Sequence, residues 1–212
     1  MTLAKICGLS TPEAVDAALA GGAAYLGFVF FDASPRNVSA QAARRLAGPA
    51  KGKAQSVALV VDADDALIDR ICFEFGPDLI QLQGRETPAR AHQIALRSRC
   101  GVIKAVGVSE ASDVEAAKAF DTVTQHIMFD AKPAPGATRP GGLGGAFDWS
   151  LLQGLKLTRP WFLAGGLDPW NVAGAVRSSA APMVDVSSGV ERGAGLKDPS
   201  LISTFLDAVR RT

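Results

Sequence analysis

Cys7, Arg36, Gln83 and Asp130 are reactive side chains that each stand at, or just past, the end of a short apolar run. A thiolate at Cys7 is a base, and a free thiol with a pKa of about 8.5 supplies a few per cent of it at neutral pH. A carboxyl at Asp130 is an acid if its surroundings hold its pKa above the usual value of about 4. Arg36 presents a planar fork that suits a carboxylate. Two glycine-containing turns complete the set: Gly165-Gly166 after one apolar run, and Asp185, Ser187, Ser188 and Gly189 at the end of the next. Glycine lets backbone N–H groups approach an anion with no Cβ in the way, so the two turns together read as a phosphate site. Asp185 is a candidate for orienting sugar hydroxyls or an amine. An acid, a base, a carboxylate fork and a phosphate cradle amount to proton-transfer chemistry on a small phosphorylated molecule.

Each of these residues also has a plainer reading. A free cysteine is most often a small core residue. An aspartate after a strand often caps or is solvated, a loop arginine is often solvated, and a glycine after a strand is often only a turn. What favours function is their common position. Cys72 and Cys100 lie on or beside predicted helices and read as structural. His92 and His126 do not fall at strand ends, and Trp149, Trp161 and Trp170 read as packing residues.

The elements that must position these groups alternate along the chain. Strands are predicted at Leu3–Cys7, Ala24–Phe30, Ser56–Val61, Leu79–Gln83, Val102–Val106, Ile127–Asp130, Trp161–Ala164 and Met183–Ser187. Helix-like segments lie between them, for example Asp64–Phe75 with Leu67, Ile68, Ile71 and Cys72 on one face. Ser10-Thr11-Pro12-Glu13 is a helix start, with a hydroxyl to cap and Pro in the first turn. One stretch, Ala131–Phe147, is long, irregular and rich in Gly and Pro. Pro199–Arg210 closes the chain as a helix.

Eight strand–helix units with short connections imply parallel strands. In 212 residues they favour a closed (β/α)₈ TIM barrel, a single domain over residues 1–212, over an open doubly wound sheet. Such barrels need about 250 residues as a rule, so the loops must be short. The active site then lies where the strands end, which is where the reactive residues fall.

Net charge is +1, from 22 basic and 21 acidic residues, with no block of one sign. That excludes an electrostatic nucleic-acid surface. No apolar run reaches the roughly 20 residues of a membrane helix, and the N-terminus does not read as a signal peptide. The three cysteines have no metal-type or disulfide spacing, so no metal is expected and a reduced, cytoplasmic setting is. The partner is then a small phosphosugar, with no nucleic acid and no membrane, and the protein is expected to be a monomer or weak homodimer.

Lys5-Ile6-Cys7-Gly8-Leu9, Gly27-Phe28-Val29-Phe30, Ser34-Pro35-Arg36, Gly144-Gly145-Ala146-Phe147-Asp148-Trp149, Leu163-Ala164-Gly165-Gly166-Leu167 and Val184-Asp185-Val186-Ser187-Ser188-Gly189-Val190-Glu191 resemble the motifs of the phosphoribosylanthranilate isomerases, in that family's order and over nearly the whole chain. The resemblance implies a (β/α)₈ barrel that uses no cofactor. It implies an Amadori rearrangement of N-(5-phosphoribosyl)anthranilate to 1-(2-carboxyphenylamino)-1-deoxyribulose 5-phosphate in tryptophan biosynthesis. By resemblance Cys7 matches the general base, Asp130 the general acid, and Arg36 the residue that meets the anthranilate carboxylate. Two positions depart from the pattern: Gln83 stands where Gln-Leu-His-Gly is usual, and Leu143 stands where Gly-Gly-Thr-Gly is usual.

Two other readings share part of this pattern. The aminoimidazole carboxamide ribotide isomerases of histidine biosynthesis perform the same rearrangement, but resemble a duplicated half-barrel with Asp at the end of the first strand, where this chain has Cys7. A non-catalytic phosphosugar-binding module would keep the turns and lose the acid–base pair. Strand alternation also puts Lys5 on the face of Cys7, one layer deeper, where its charge is expected to favour the thiolate.

Overall fold

The computed structural model describes residues 1–132 and 145–212. Eight parallel strands close into a barrel in chain order: β1 Leu3–Cys7, β2 Tyr25–Phe30, β3 Gln55–Val60, β4 Leu79–Leu82, β5 Gly101–Val108, β6 His126–Ala131, β7 Phe162–Leu163 and β8 Met183–Val186. β8 returns to β1, with Lys5 opposite Asp185. Seven α-helices are described: α1 Pro12–Ala20, α2 Ala40–Ala47, α3 Asp65–Glu74, α4 Pro88–Ser98, α5 Ala111–Ala117, α6 Val172–Ser179 and α7 Pro199–Arg210.

Local chemistry explains the helix starts. Thr11, Ser39, Asp64, Thr87 and Asp198 each cap a helix by accepting from a backbone N–H of its first turn. Pro12, Pro88 and Pro199 occupy the first turns of α1, α4 and α7, where no partner for their missing N–H is needed.

Strand alternation sorts the apolar residues into two clusters. Leu26, Ala58, Ile80, Val102, Phe129 and Val184 point outward beneath the helices. Tyr25, Val57, Leu79, Ile103, Met128, Phe162 and Met183 form a second cluster, which fills the barrel interior. The inward columns then continue toward the strand ends with polar residues. Leu79 is followed by Gln81 and Gln83, Met128 by Asp130, Met183 by Asp185, and Lys5 by Cys7.

The structure differs from expectation at three places. Among the described residues between β6 and β7 there is no α-helix, only a 3₁₀ helix, Trp149–Leu152. β4 stops at Leu82, so Gln83 lies one residue beyond it. His126 is the first residue of β6 and lies at the mouth opposite the reactive groups, away from the strand C-termini that carry them. A hairpin of β9 Glu191–Gly193 and β10 Leu196–Lys197 follows β8 and was not foreseen. Residues 133–144, including Gly141-Gly142-Leu143-Gly144 and most of the Gly/Pro-rich stretch, lie outside the described residues. Among the described residues no helix is long and apolar enough to cross a membrane.

Candidate active site

Cys7 is the last residue of β1 and is buried. Its thiol shares a small space with the ammonium of Lys5, and Gly27 of β2, the register partner of Cys7, makes that space. A Cβ on Gly27 would stand 3.0 Å from Lys5 Nζ and 3.1 Å from Cys7 Sγ. Lys5 is fully buried and donates to Asp185 Oδ1 at 2.8 Å. Burial disfavours the Lys5 charge, but Asp185 and Cys7 outweigh it and hold its pKa above the ordinary value. The expectation that Lys5 favours the thiolate has the right sign and an insufficient size. Burial pushes the Cys7 thiol up, Lys5 pulls it down, Asp185 pushes it up again and Lys197 opposes; the net direction is upward. Cys7 therefore rests as a thiol.

Asp130 lies across the mouth, next to last in β6. Its Oδ2 accepts from Gln83 Nε2 at 2.8 Å and its Oδ1 from the N–H of Ala131 at 2.9 Å. Burial and the negative charge of Asp185 push its pKa up to about 6, against the two hydrogen bonds and Lys5. The carboxyl is thus poised to hold and release a proton near neutral pH. Gln83 is held in turn by Gln81 Nε2, which donates to its Oε1 at 2.7 Å. The loop that carries Gln83 is anchored by the buried Lys104, whose ammonium donates to Leu82 O, Gly84 O and Glu86 Oε2.

Arg36 is not a solvated loop residue. It is buried, and its Nε and Nη2 fork onto Glu191 Oε1 and Oε2 at 2.7 and 2.8 Å. Gly8 makes room for it: with φ +79°, a Cβ there would stand 2.5 Å from Arg36 Cδ. Lys197, also buried, donates to Glu191 Oε1 and to Ser187 O. Ser187 Oγ reaches the carbonyl of Cys7 at 3.2 Å. The β9–β10 hairpin therefore ties the fork to the turn after β8 and to the end of β1. Sequence reasoning assigned no role to Glu191 or Lys197. The tight turn at Gly195 is a local signal for the pairing of Lys197 with Glu191 and Ser187, whereas Arg36, the other partner of Glu191, lies 155 positions away.

The two glycine turns meet. Gly165 and Gly166 have φ of +85° and +65°, and a Cβ on Gly165 would stand 2.5 Å from the N of Ala131. A Cβ on Gly189 would collide with the carbonyl oxygen of Leu167, so the turn after β8 packs directly on the turn after β7. Ser188 begins the 3₁₀ helix Ser188–Val190, whose leading N–H groups have no intrahelical partner. Gly189→Ala is expected to force these turns apart, raising KM about 10-fold or more while costing about 1–3 kcal/mol of stability. Steady-state kinetics and denaturant titration of the variant check both numbers.

All the site residues predicted from sequence thus converge on one mouth of the barrel. The profile described as N-(5'-phosphoribosyl)anthranilate isomerase matches residues 4–208. The chain belongs to that family. It is 63% identical over its full length to the phosphoribosylanthranilate isomerase of Caulobacter sp. (strain K31), covering 100% of both chains. It is 51% identical to that of Bradyrhizobium sp. (strain ORS 278), covering 98% of this chain and 95% of the relative. The solved phosphoribosylanthranilate isomerase of Thermotoga maritima superposes with a TM-score of 0.89 at 33% identity, covering 100% of each chain. A second solved phosphoribosylanthranilate isomerase, in complex with reduced 1-(o-carboxyphenylamino)-1-deoxyribulose 5-phosphate, superposes with a TM-score of 0.84 at 31% identity, again over 100% of each chain. As a member of this family the chain is an isomerase of tryptophan biosynthesis with a TIM-barrel fold.

Proposed function

We propose that the chain converts N-(5'-phosphoribosyl)anthranilate to 1-(2-carboxyphenylamino)-1-deoxyribulose 5-phosphate, with Asp130 as the general acid and Cys7 as the general base. The observation that carries the roles is the placement of a carboxyl poised near neutrality and a thiol at the ends of β6 and β1, facing one mouth. Asp130 gives its proton to the furanose ring oxygen; the ring C–O bond breaks and a Schiff base forms. Cys7 then takes the proton from C2′, and the resulting enolamine tautomerises to the ketone. The turns at Gly165-Gly166 and Ser187-Ser188-Gly189 hold the phosphate by backbone N–H groups, and Arg36 takes the anthranilate carboxylate. Asp185 keeps the Lys5 charge in place beside the thiol and lies within reach of the sugar. No cofactor or metal has a part in these steps. The protein works as a monomer or weak homodimer in the cytoplasm.

The acid is the stronger acid of the pair, which fixes the pH dependence. Between the two pKa values the site carries one proton, mostly as carboxylate plus thiol; the reactive form, carboxyl plus thiolate, is its minor tautomer. The ratio of the two does not change with pH, so the rate is flat there. Below a pH of about 6 both groups are protonated and the base is lost. Above the raised thiol pKa both are ionised and the acid is lost. A kcat/KM profile with a fall on the acid side near pH 6, and a second fall only well into the alkaline range, is expected.

The founding test is turnover of phosphoribosylanthranilate, made in situ, followed by loss of its fluorescence. Rapid loss supports the reading. No turnover by the native protein, with turnover of the aminoimidazole carboxamide ribotide, would move the assignment to the histidine-pathway rearrangement.

A further inference from the structure

Asp130 must do two opposed things. It must be stable as a carboxyl before ring opening and as a carboxylate after it. A neighbour that only donates hydrogen bonds supports the second form and opposes the first. Gln83 Nε2 does donate to Asp130 Oδ2, at 2.8 Å. Its orientation is set by Gln81, whose Nε2 donates to Gln83 Oε1 at 2.7 Å. Gln81 is buried at 1% exposure, and its own Oε1 has no partner among the described residues. Its other contact is weak, Nε2 to Met128 Sδ at 3.4 Å.

An amide has near-equal shape when its O and N exchange places. Suppose both amides turn over together. Gln83 Oε1 then faces Asp130 Oδ2 and accepts from the protonated acid. Gln83 Nε2 faces Gln81 and donates to Oε1, the acceptor that is otherwise unpartnered. Gln81 Nε2 takes the unpartnered place instead, and the weak contact to Met128 is lost. Each arrangement leaves one polar atom of Gln81 unpaired, so the two are close in free energy, and the Asp130 proton is enough to select between them.

We propose that Gln81 and Gln83 form an amide relay that turns over as Asp130 loses and regains its proton, so that Gln83 supports both forms of the acid. Gln83 and Gln81 are positioning residues in this scheme. No proton passes through the amides; the Asp130 O–H bond breaks as the bond to the substrate ring oxygen forms, and the amides only rotate. The charged groups that face Asp130 among the described residues, Asp185 from β8 and Lys5 from β1, act on both forms without changing hydrogen-bond sense. The relay rests on Asp130 being the acid.

Side-chain amide ¹⁵N–¹H signals of Gln81 and Gln83, followed together with the ¹³C carboxyl signal of Asp130 across its titration, test the relay in the native chain. Both amides are expected to move with the carboxyl midpoint. Movement of Gln83 with Gln81 unchanged would overturn it. Asp130→Asn supplies a second reading. The Ala131 N–H claims the side-chain oxygen, so the Asn amide donates toward Gln83 as the protonated acid would. Both glutamines are then expected at their low-pH positions at every pH, and high-pH positions would overturn the relay. In kinetics, Gln83→Met removes a partner from both forms of the acid, so kcat is expected to fall while the acid-side fall stays within about half a pH unit of its place. A rise of that fall by about one pH unit would mean that Gln83 serves the carboxylate alone, and would overturn the relay. Failure of the acid assignment looks different: Asp130→Asn would then turn over substrate at the native rate, whatever the amides do.

Discussion

Asp130→Asn lowers kcat by about 10²- to 10⁴-fold, and Cys7→Ala does the same, while KM changes little in either. Asp130→Asn keeps the volume of the site and Cys7→Ala removes only the sulfur, and neither removes a partner from the phosphate turns or from Arg36. Asn keeps the hydrogen bond from the Ala131 N–H and turns its amide toward Gln83 as a donor, but it has no acidic proton to give the ring oxygen. Ala at position 7 leaves Lys5 its stronger partner, Asp185, at 2.8 Å, so the fold is kept. Since acid and base act on successive proton transfers of one substrate, the double variant falls little below the worse single one. Single-turnover fluorescence decay gives these ratios directly. Survival of near-native rates in both variants would keep the reaction and discard the assignment of the acid and base.

Lys5→Met costs about 3–5 kcal/mol of folding stability, because it leaves the buried Asp185 carboxylate facing an apolar neighbour. Against a total of about 5–15 kcal/mol for an ordinary domain, that brings the protein close to unfolding. The pair joins β1 to β8 at the seam where the barrel closes. A second change separates charge from packing. Lys5→Met with Asp185→Leu removes both ions and fills the space with carbon, and is expected to recover most of the loss. The recovered double variant still lacks the ammonium beside Cys7, so its thiol is expected to need a higher pH for reaction with a small alkylating agent. Urea denaturation of the single and double variants checks the energies. A loss below about 1 kcal/mol in the single variant would mean that Asp185 is not desolvated.

Much of this was legible in the chain because it is written locally. Thr11-Pro12 and Thr87-Pro88 announce helix starts within two residues, and the runs read as ending at Cys7, Gln83 and Ser187 place the strands to within a residue at that end, and hence the mouth. The connection after β6 reads as irregular because it is Gly/Pro-rich, and among the described residues it holds only a 3₁₀ turn, which carries no helical periodicity. The hairpin at Glu191 and Lys197 was missed because strands of three and two residues carry no alternation. The depth of Arg36 was missed for another reason. Its partner Glu191 lies 155 positions away, and no local pattern encodes a contact of that range. Gln81 was read only as part of a motif, since an unpartnered acceptor is visible only in three dimensions.

The closure of β8 on β1 also makes the ends of the chain neighbours: Thr212 Oγ1 lies 3.0 Å from Thr2 Oγ1. The linear chain must therefore hold its first strand in waiting until the last one is made, since Lys5 and Asp185 are 180 positions apart. A ring closed through those ends and reopened at an exposed loop would bring the same two residues within a short stretch of chain. The seam would change from the slowest contact to form into one of the fastest, with the catalytic mouth unchanged.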